Sequence, residues 1–289
     1  MLSDITLGQF FPGKSALHRL DPRTKIILSV LFIVSVFLAK TPIAFGILVL
    51  TVALLVAISG ISFKIIFKGI KPIIYVLIFT ALINVFLTDG EGEPLVSFAF
   101  IQIYTEGIVR AVFMALRVVL LIIGTSVLLT YTTSPISLTD GIESLLSPFK
   151  RIGLPVHEFS MMMTIALRFI PTLIEETEKI MNAQKSRGAD FTSGSLLKRA
   201  KALIPLLVPL FASSFKRADE LATAMECRCY RGDKNRTKLV KLTFHASDII
   251  GFILGVLFLA VMIAIIIITP HISQIIPPAV YNIIFYLIG

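Results

Sequence analysis

The sequence predicts an all-α polytopic membrane protein: a helical bundle of about five transmembrane helices joined to a cytoplasmic domain of long amphipathic helices. Three observations carry this expectation. First, 56% of the 289 residues are hydrophobic, 16% are charged and the mean hydropathy is +0.90. A soluble domain carries roughly 25% charged residues, so this chain has too few polar side chains to cover a water-facing surface. Second, charge-free apolar runs recur at lengths suited to a bilayer. Third, 14 of the 27 basic residues lie between Lys179 and Lys241, a stretch with only five acids and far too charged for lipid.

The spans follow in chain order. The opening MLSDITLGQFFPGK lacks the basic start and apolar core of a signal peptide, so no cleaved leader is expected. Ile26 to Ala39 is the first apolar run, flanked by Lys25 and Lys40. Fourteen helical residues cover only about 21 Å, and the flanking lysines are expected to snorkel to make up the length. Thr41 to Phe63, Pro72 to Thr88, Ile108 to Tyr131 and Ile249 to Ile268 are the next four. Ile275 to Gly289, broken by Pro277 and Pro278, reads as an interfacial tail. Loop charges alternate. Lys14, Arg19, Arg23 and Lys25 precede the first span, and Lys64, Lys68 and Lys71 follow the second. The loop after the third holds Asp89, Glu91, Glu93 and Glu106 with no cation. Basic loops stay on the cytoplasmic side, which places the N-terminus inside the cell membrane. The same rule accounts for the net charge of +9 without nucleic acid.

The divisions that result are residues 1–132 for a four-span bundle, 133–245 for the cytoplasmic domain and 246–289 for the last span and tail. Three helices are expected in the middle part. The first runs from Leu138 to Phe149 with Ser137 as its cap. The second, Val156 to Arg187, repeats apolar residues at Phe159, Met162, Met163, Ala166, Phe169 and Ile170, the spacing of one helix face. Pro171 should kink it and Gly188 should stop it. The third, from Ser195 to Cys229, has the stripe Leu203, Leu207, Leu210, Phe211, Ser214, Ala218, Leu221 and Met225. The first halves are very apolar, with Met161, Met162 and Met163 in one and Leu203, Leu207, Leu210 and Phe211 in the other. Those faces either pack on each other or offer a repackable docking surface for another membrane protein.

The ends of the two long helices are alike. Ala183-Gln184-Lys185-Ser186-Arg187-Gly188 and Ala224-Met225-Glu226-Cys227-Arg228-Cys229 both read Ala-x-x-X-Arg-X, 41 residues apart. Arginine at a helix C-terminus can simply complement the dipole. Small neighbours, however, leave a guanidinium clear to pair in bidentate fashion with a carboxylate, and two copies suit two equivalent acidic grooves.

Other signals point nowhere catalytic. Gly8 to Ser15 satisfies G-x-x-x-x-G-K-S, but a phosphate loop needs a strand before it, and here only seven residues precede Gly8, with Phe10, Phe11 and Pro12 inside it. Cys227, Cys229 and His245 fall short of a four-ligand zinc site, and the two cysteines read as free thiols. His18, His157, His245 and His271 are scattered, with no nucleophile expected beside any of them. Glu175, Glu176, Glu178 and Lys179 read as a solvated helix face. Arg117, inside the fourth span, is expected to pair with an outer-loop acid or to snorkel. No cofactor is implied and no enzyme. A stand-alone secondary transporter or channel is the alternative, and it would call for ionisable residues lining the other spans.

The residues also resemble a known family. PGKSALHRLDPRTK, Pro12 to Lys25, looks like its opening signature; LTYTTSPISLTDGIESLLSPFKRIGLP, Leu129 to Pro155, looks like its link from bundle to coupling domain; and the two arginine ends sit where it carries paired X-Arg-X motifs. On these grounds the chain resembles the EcfT family, CbiQ-like transmembrane coupling subunits of energy-coupling factor transporters. The resemblance implies two cytoplasmic ATPase subunits docked through Ala183, Ser186, Arg187 and Gly188 and through Ala224, Cys227, Arg228 and Cys229. It also implies a membrane substrate-binding subunit, the S-component, for a vitamin or metal ion. The second motif departs from the family's Ala-Arg-Gly, and Tyr230-Arg231-Gly232 follows it directly. Arg228 is preferred over Arg231 because it matches Arg187 by the Ala-x-x spacing.

Overall fold

A computed structural model describes residues 10–87, 96–98, 101–189, 191, 195–232 and 242–272. The described residues fall into two compact units, one drawn from Gly8–Gly141 with Leu242–Gly289 and the other from Ile142–Lys241. The architecture is helical. Its one β element among the described residues is a short ribbon.

Local chemistry fixes the helix starts in the first unit. After the single turn α1 (Ala16–Arg19), α2 (Pro22–Leu38) begins with Asp21 as its cap, the carboxylate accepting from the Arg23 amide at 2.9 Å, and with Pro22 in the first turn. Thr41 caps α3 (Pro42–Ser59) in the same way, and Gly60, at φ +68°, ends it in the left-handed region. α4 (Phe63–Ile70) and a 3-10 turn, Lys71–Ile73, lead into α5 (Ile74–Leu87). The strands β1 (Val96–Phe98) and β2 (Ile101–Ile103) pair antiparallel, with Val96 opposite Ile103. The sequence predicts only an acidic loop here. α6 (Thr105–Thr125) ends in a π-helical turn, Ser126–Thr130.

α7 (Pro135–Leu146) starts three residues earlier than expected and its cap is Ser134, not Ser137. The Ser134 hydroxyl accepts from the Ser137 amide at 3.1 Å. The reason is Pro135, whose fixed φ suits the first helical position and moves the cap to the residue before it. A 3-10 segment, Ser147–Ile152, and the left-handed Gly153 turn the chain into α8 (Val156–Ser186). α9 (Leu196–Cys227) and α10 (Ala246–Ile272) complete the order.

Among the described residues, four helices are long and apolar enough to cross a membrane: Pro42–Ser59, Phe63–Leu87, Thr105–Thr130 and Ala246–Thr269. α2, at 17 residues, falls just below that length and packs against α6 and α10. Phe32, Val36, Phe45, Leu48, Val52, Leu120, Val127 and Met262 form the core of this unit. In lipid, apolar burial gains little, so close approach must hold the bundle. Gly124 of α6 allows it: a Cβ there would stand 2.2 Å from Phe32 Cε1. Large apolar side chains of α5 and α10, such as Tyr75, Phe79, Ile253 and Leu257, face outward, as suits acyl chains.

Lys25 departs from expectation, and Arg117 finds a backbone partner. Lys25 does not snorkel; it is 2% exposed, with polar acceptors supplied by the chain itself, while Lys40 is exposed. Arg117 pairs with no acid in the described contacts. Its Nη2 donates to the Ala39 carbonyl at 2.6 Å and its guanidinium lies 5.5 Å from the Phe45 ring centre. Ala39 is the helix-end residue of α2, where a carbonyl lacks an intrahelical partner. The tail from Ile275 onward, with Asp89, Glu91, Glu93, Asp190, Asp233, Gly8 and Gln9, lies outside the described residues.

Candidate functional site

The second unit is built on α8 and α9. Both run uninterrupted through their internal prolines, Pro171 in one and Pro205 and Pro209 in the other. The root of α8 is tied to α7 by His157, whose Nδ1 lies 3.1 Å from the Glu143 carboxylate, with both residues buried.

The two helices run in opposite directions along their contact. Near the start of α8, Met161, Thr164 and Ile165 share a cavity of about 600 Å3 with Leu221, Met225, Arg228, Cys229, Tyr230 and Arg231. Further along, Glu176 meets Ser213 and Arg217. The Ser213 hydroxyl donates to one carboxylate oxygen, and Arg217 Nη2 donates to the other at 2.7 Å. The Ser213 hydrogen bond, then the charge and hydrogen bond of Arg217, hold the Glu176 carboxyl below its ordinary range. Glu176 is thus a bridge between helices rather than part of a solvated face. The signal for it was the polar break Ser213-Ser214 in an otherwise apolar stripe, one turn before Arg217.

The two helix ends are the same structure. At the first, the Gly188 amide donates to Lys185 O at 2.9 Å and the Ala189 amide to Gln184 O at 3.0 Å. At the second, the Cys229 amide donates to Glu226 O at 2.8 Å and the Tyr230 amide to Met225 O at 3.1 Å. Each is a Schellman cap, with the left-handed residue one place past the cap. That residue is Gly188 (φ +87°) in one and Cys229 (φ +56°) in the other. The cap itself is Arg187 (φ −88°, ψ 6°) and Arg228 (φ −91°, ψ 16°). Arg231 lies beyond this motif. Ala183, Ser186, Arg187, Gly188, Ala224, Cys227, Arg228 and Cys229 are all exposed. Because the helices are antiparallel and Met161 sits by Arg228, the Arg187 end stands 26 residues further along α8, roughly 39 Å away at helical rise.

The apolar candidates divide differently from the sequence reading. The antiparallel course sets Met161, Met162 and Met163 beside the Arg228 end. It sets Leu203, Leu207, Leu210 and Phe211 towards the Arg187 end, so the two clusters do not pack on each other and do not form one patch. Met162, Met163, Leu203, Leu207 and Phe211 are exposed, and Met161 and Leu210 are half-buried. The continuous exposed stripe on α9 is Ile204, Val208, Phe211 and Phe215, at i, i+4, i+7 and i+11; of these, only Phe211 belongs to the stripe that the sequence predicts. Leu206, Leu210, Ser214, Leu221 and Met225 are the less exposed residues of this helix.

Among the described residues no group of three or more potential metal ligands comes together. The sequence predicts no nucleophile beside His18, whereas the structure places the Ser15 hydroxyl there. Its Nδ1 lies 2.7 Å from Ser15 Oγ and its Nε2 lies 2.9 Å from the Phe11 carbonyl, which closes the turn before α1.

Comparison with known proteins gives a consistent result. The CbiQ family, described as "Cobalt transport protein", matches residues 13–239. The energy-coupling factor transporter transmembrane protein EcfT of Acidaminococcus fermentans is 54% identical over 259 residues, covering 89% of this chain and 96% of that protein. EcfT of Clostridium kluyveri is 51% identical over 263 residues, with 91% and 97% covered. EcfT of Bacillus subtilis is 49% identical over 248 residues, with 86% and 93% covered. The chain therefore belongs to the CbiQ/EcfT family of energy-coupling factor transporter transmembrane components.

Proposed function

We propose that this protein is the non-enzymatic coupling scaffold of an ATP-driven importer for vitamins or other micronutrients, seated in the cell membrane with its N-terminus inside. Two cytoplasmic ABC ATPase subunits, identical or related, dock on the arginine ends of α8 and α9. A membrane S-component docks on their exposed apolar surface, which falls into two patches: Met162 and Met163 beside the Arg228 end, and Leu203, Leu207 and the stripe through Phe211 towards the Arg187 end. Residues 1–132 and 246–289 anchor the assembly in lipid, and residues 133–245 carry motion between its parts.

The observation that carries this reading is the identity of the two ends: exposed arginines at matched positions of matched caps, at opposite ends of one helix pair. Two such points, well separated, suit two like partners better than one small ligand. The match also favours Arg228 over Arg231 as the partner of Arg187.

Copurification tests it. The tagged chain should retain two ATPase subunits in detergent. Replacing Arg187 and Arg228 together with alanine should abolish retention while leaving membrane insertion intact. Each single replacement should weaken it roughly tenfold to a hundredfold, the worth of a charged hydrogen bond, because the second contact still acts through effective concentration. Undiminished retention in the double variant would overturn the docking assignment.

A further inference from the structure

Two stretches singled out in the sequence, Pro12–Lys25 and Leu129–Pro155, take no part in the arginine ends, yet the structure brings them together through Lys25. This lysine lies in the first turn of α2 and is 2% exposed. Its Nζ donates to the Thr132 carbonyl at 2.8 Å, to Thr133 Oγ1 at 3.2 Å and to the His18 carbonyl at 3.5 Å. All three ammonium donors are thereby used. Asp21 and Asp248, both buried, supply the balancing charge. Asp248 in turn accepts from the Asp21 amide at 2.7 Å and from the His245 amide at 2.8 Å. The Phe11 amide donates to the Tyr131 carbonyl at 3.0 Å. Asp21, Lys25, Thr132, Thr133 and Asp248 are thus the buried polar centre of a clasp that joins residues 11–25, 131–133 and 245–248.

Its position is what gives it meaning. Thr132 and Thr133 lie just past Tyr131, the residue that caps the π-helical turn Ser126–Thr130 and whose amide reaches back to Ser126 O at 2.8 Å, and they precede α7. A π turn ending a helix is an irregularity common at functional sites. A buried charge is costly, and an apolar residue of similar size usually packs at least as well. Lys25 therefore needs a reason beyond stability.

We propose that Lys25 is a positioning residue, a latch that holds the Tyr131–Thr133 segment against α2 and α10, so that force arriving along α7 moves the membrane helices instead of unwinding the π turn. The force in this statement rests on the coupling-scaffold reading above; the latch itself does not.

Hydrogen exchange read by mass spectrometry tests it, on the full chain with its retained ATPases in lipid nanodiscs, with and without a non-hydrolysable ATP analogue. In Lys25→Met, exchange across residues 126–134 should rise about tenfold, the worth of losing hydrogen bonds to a charge, with the other helices unchanged. Thr133→Val keeps the shape and removes one acceptor, so it should give a smaller rise at the same place, and it decides the matter if Lys25→Met does not fold. Both variants should retain ATPases at wild-type yield, since the arginine ends are untouched. A nucleotide-dependent change in exchange of α2 and α3 is expected in the wild type and should be lost in Lys25→Met; its absence from the wild type would overturn the transmission of force through the latch. Unchanged exchange at 126–134 in either folded variant would overturn the latch. So would a rise spread evenly over every helix, or a full nucleotide response despite a loosened segment. A wild-type chain that retains no ATPase would defeat the scaffold reading, and the exchange comparison would still decide the latch.

Discussion

Gly188 and Cys229 hold the same place in two helix caps at different cost. Gly188 adopts φ +87° freely, while Cys229 at φ +56° carries a Cβ into the left-handed region. That conformation costs an L-residue about 1–2 kcal/mol. Gly188→Ala should therefore fray the Arg187 end by about 1 kcal/mol, and Cys229→Gly should firm the Arg228 end by a similar amount. Amide exchange at Ala189 and Tyr230 reads both changes. Glu176 gives a second test at this scale. Its carboxyl titrates below the ordinary value of 4.5, chiefly through the Ser213 hydrogen bond. A carboxyl whose value is depressed on folding stabilises the folded form above its unfolded value and loses that contribution as pH falls through the folded one. The α8–α9 pairing should be at full strength at pH 7 and should weaken only below pH 4.5. Glu176→Gln should remove that acid-side dependence, as followed by the unfolding midpoint of the chain between pH 7 and pH 3. The ion pair was hidden in the sequence because Glu176 and Arg217 lie 41 positions apart on separate helices.

Helices show the same division between pattern and partner. Amphipathic spacing located α8 and α9 to within a residue or two, because a 3.6-residue period needs only the sequence. Which stripe faced outward was not legible. The sequence stripe through Leu203, Leu207, Leu210 and Ser214 mixes exposed and half-buried positions, and the exposed row is Ile204, Val208, Phe211 and Phe215. Both rows are apolar, so hydropathy cannot separate the packing face from the free one. If the free row receives the S-component, Val208→Asp with Phe211→Asp should lose that subunit from the purified assembly while ATPases remain, as judged by subunit stoichiometry. Loss of the ATPases instead would count against this division of surfaces. In the bundle, Gly124 is the tightest approach described between α2 and α6. Gly124→Val should overpack Phe32 and lower stability by about 1–3 kcal/mol, seen as a lower melting temperature in detergent.

For the molecule as a whole, orientation is the remaining expectation. A cysteine at Glu91, placed in a chain without Cys227 and Cys229, should be labelled by an impermeant thiol reagent in intact cells; labelling only after lysis would invert the topology. The spans, their order, the charge alternation and the paired arginine ends were all written along the chain, because each depends on residues near one another in sequence: uncharged runs, caps and local repeats. The tertiary structure alone decided that α8 and α9 are antiparallel, which puts the two arginines at opposite ends and the methionines away from the leucines. It alone drew Lys25 out of its expected snorkelling position into a clasp with Thr132, Thr133, Asp21 and Asp248. The physical reason is common to both. A buried charge or an exposed apolar row is defined by what stands across from it, and that neighbour lies more than a hundred residues away for Lys25 and on a separate helix for the arginine ends.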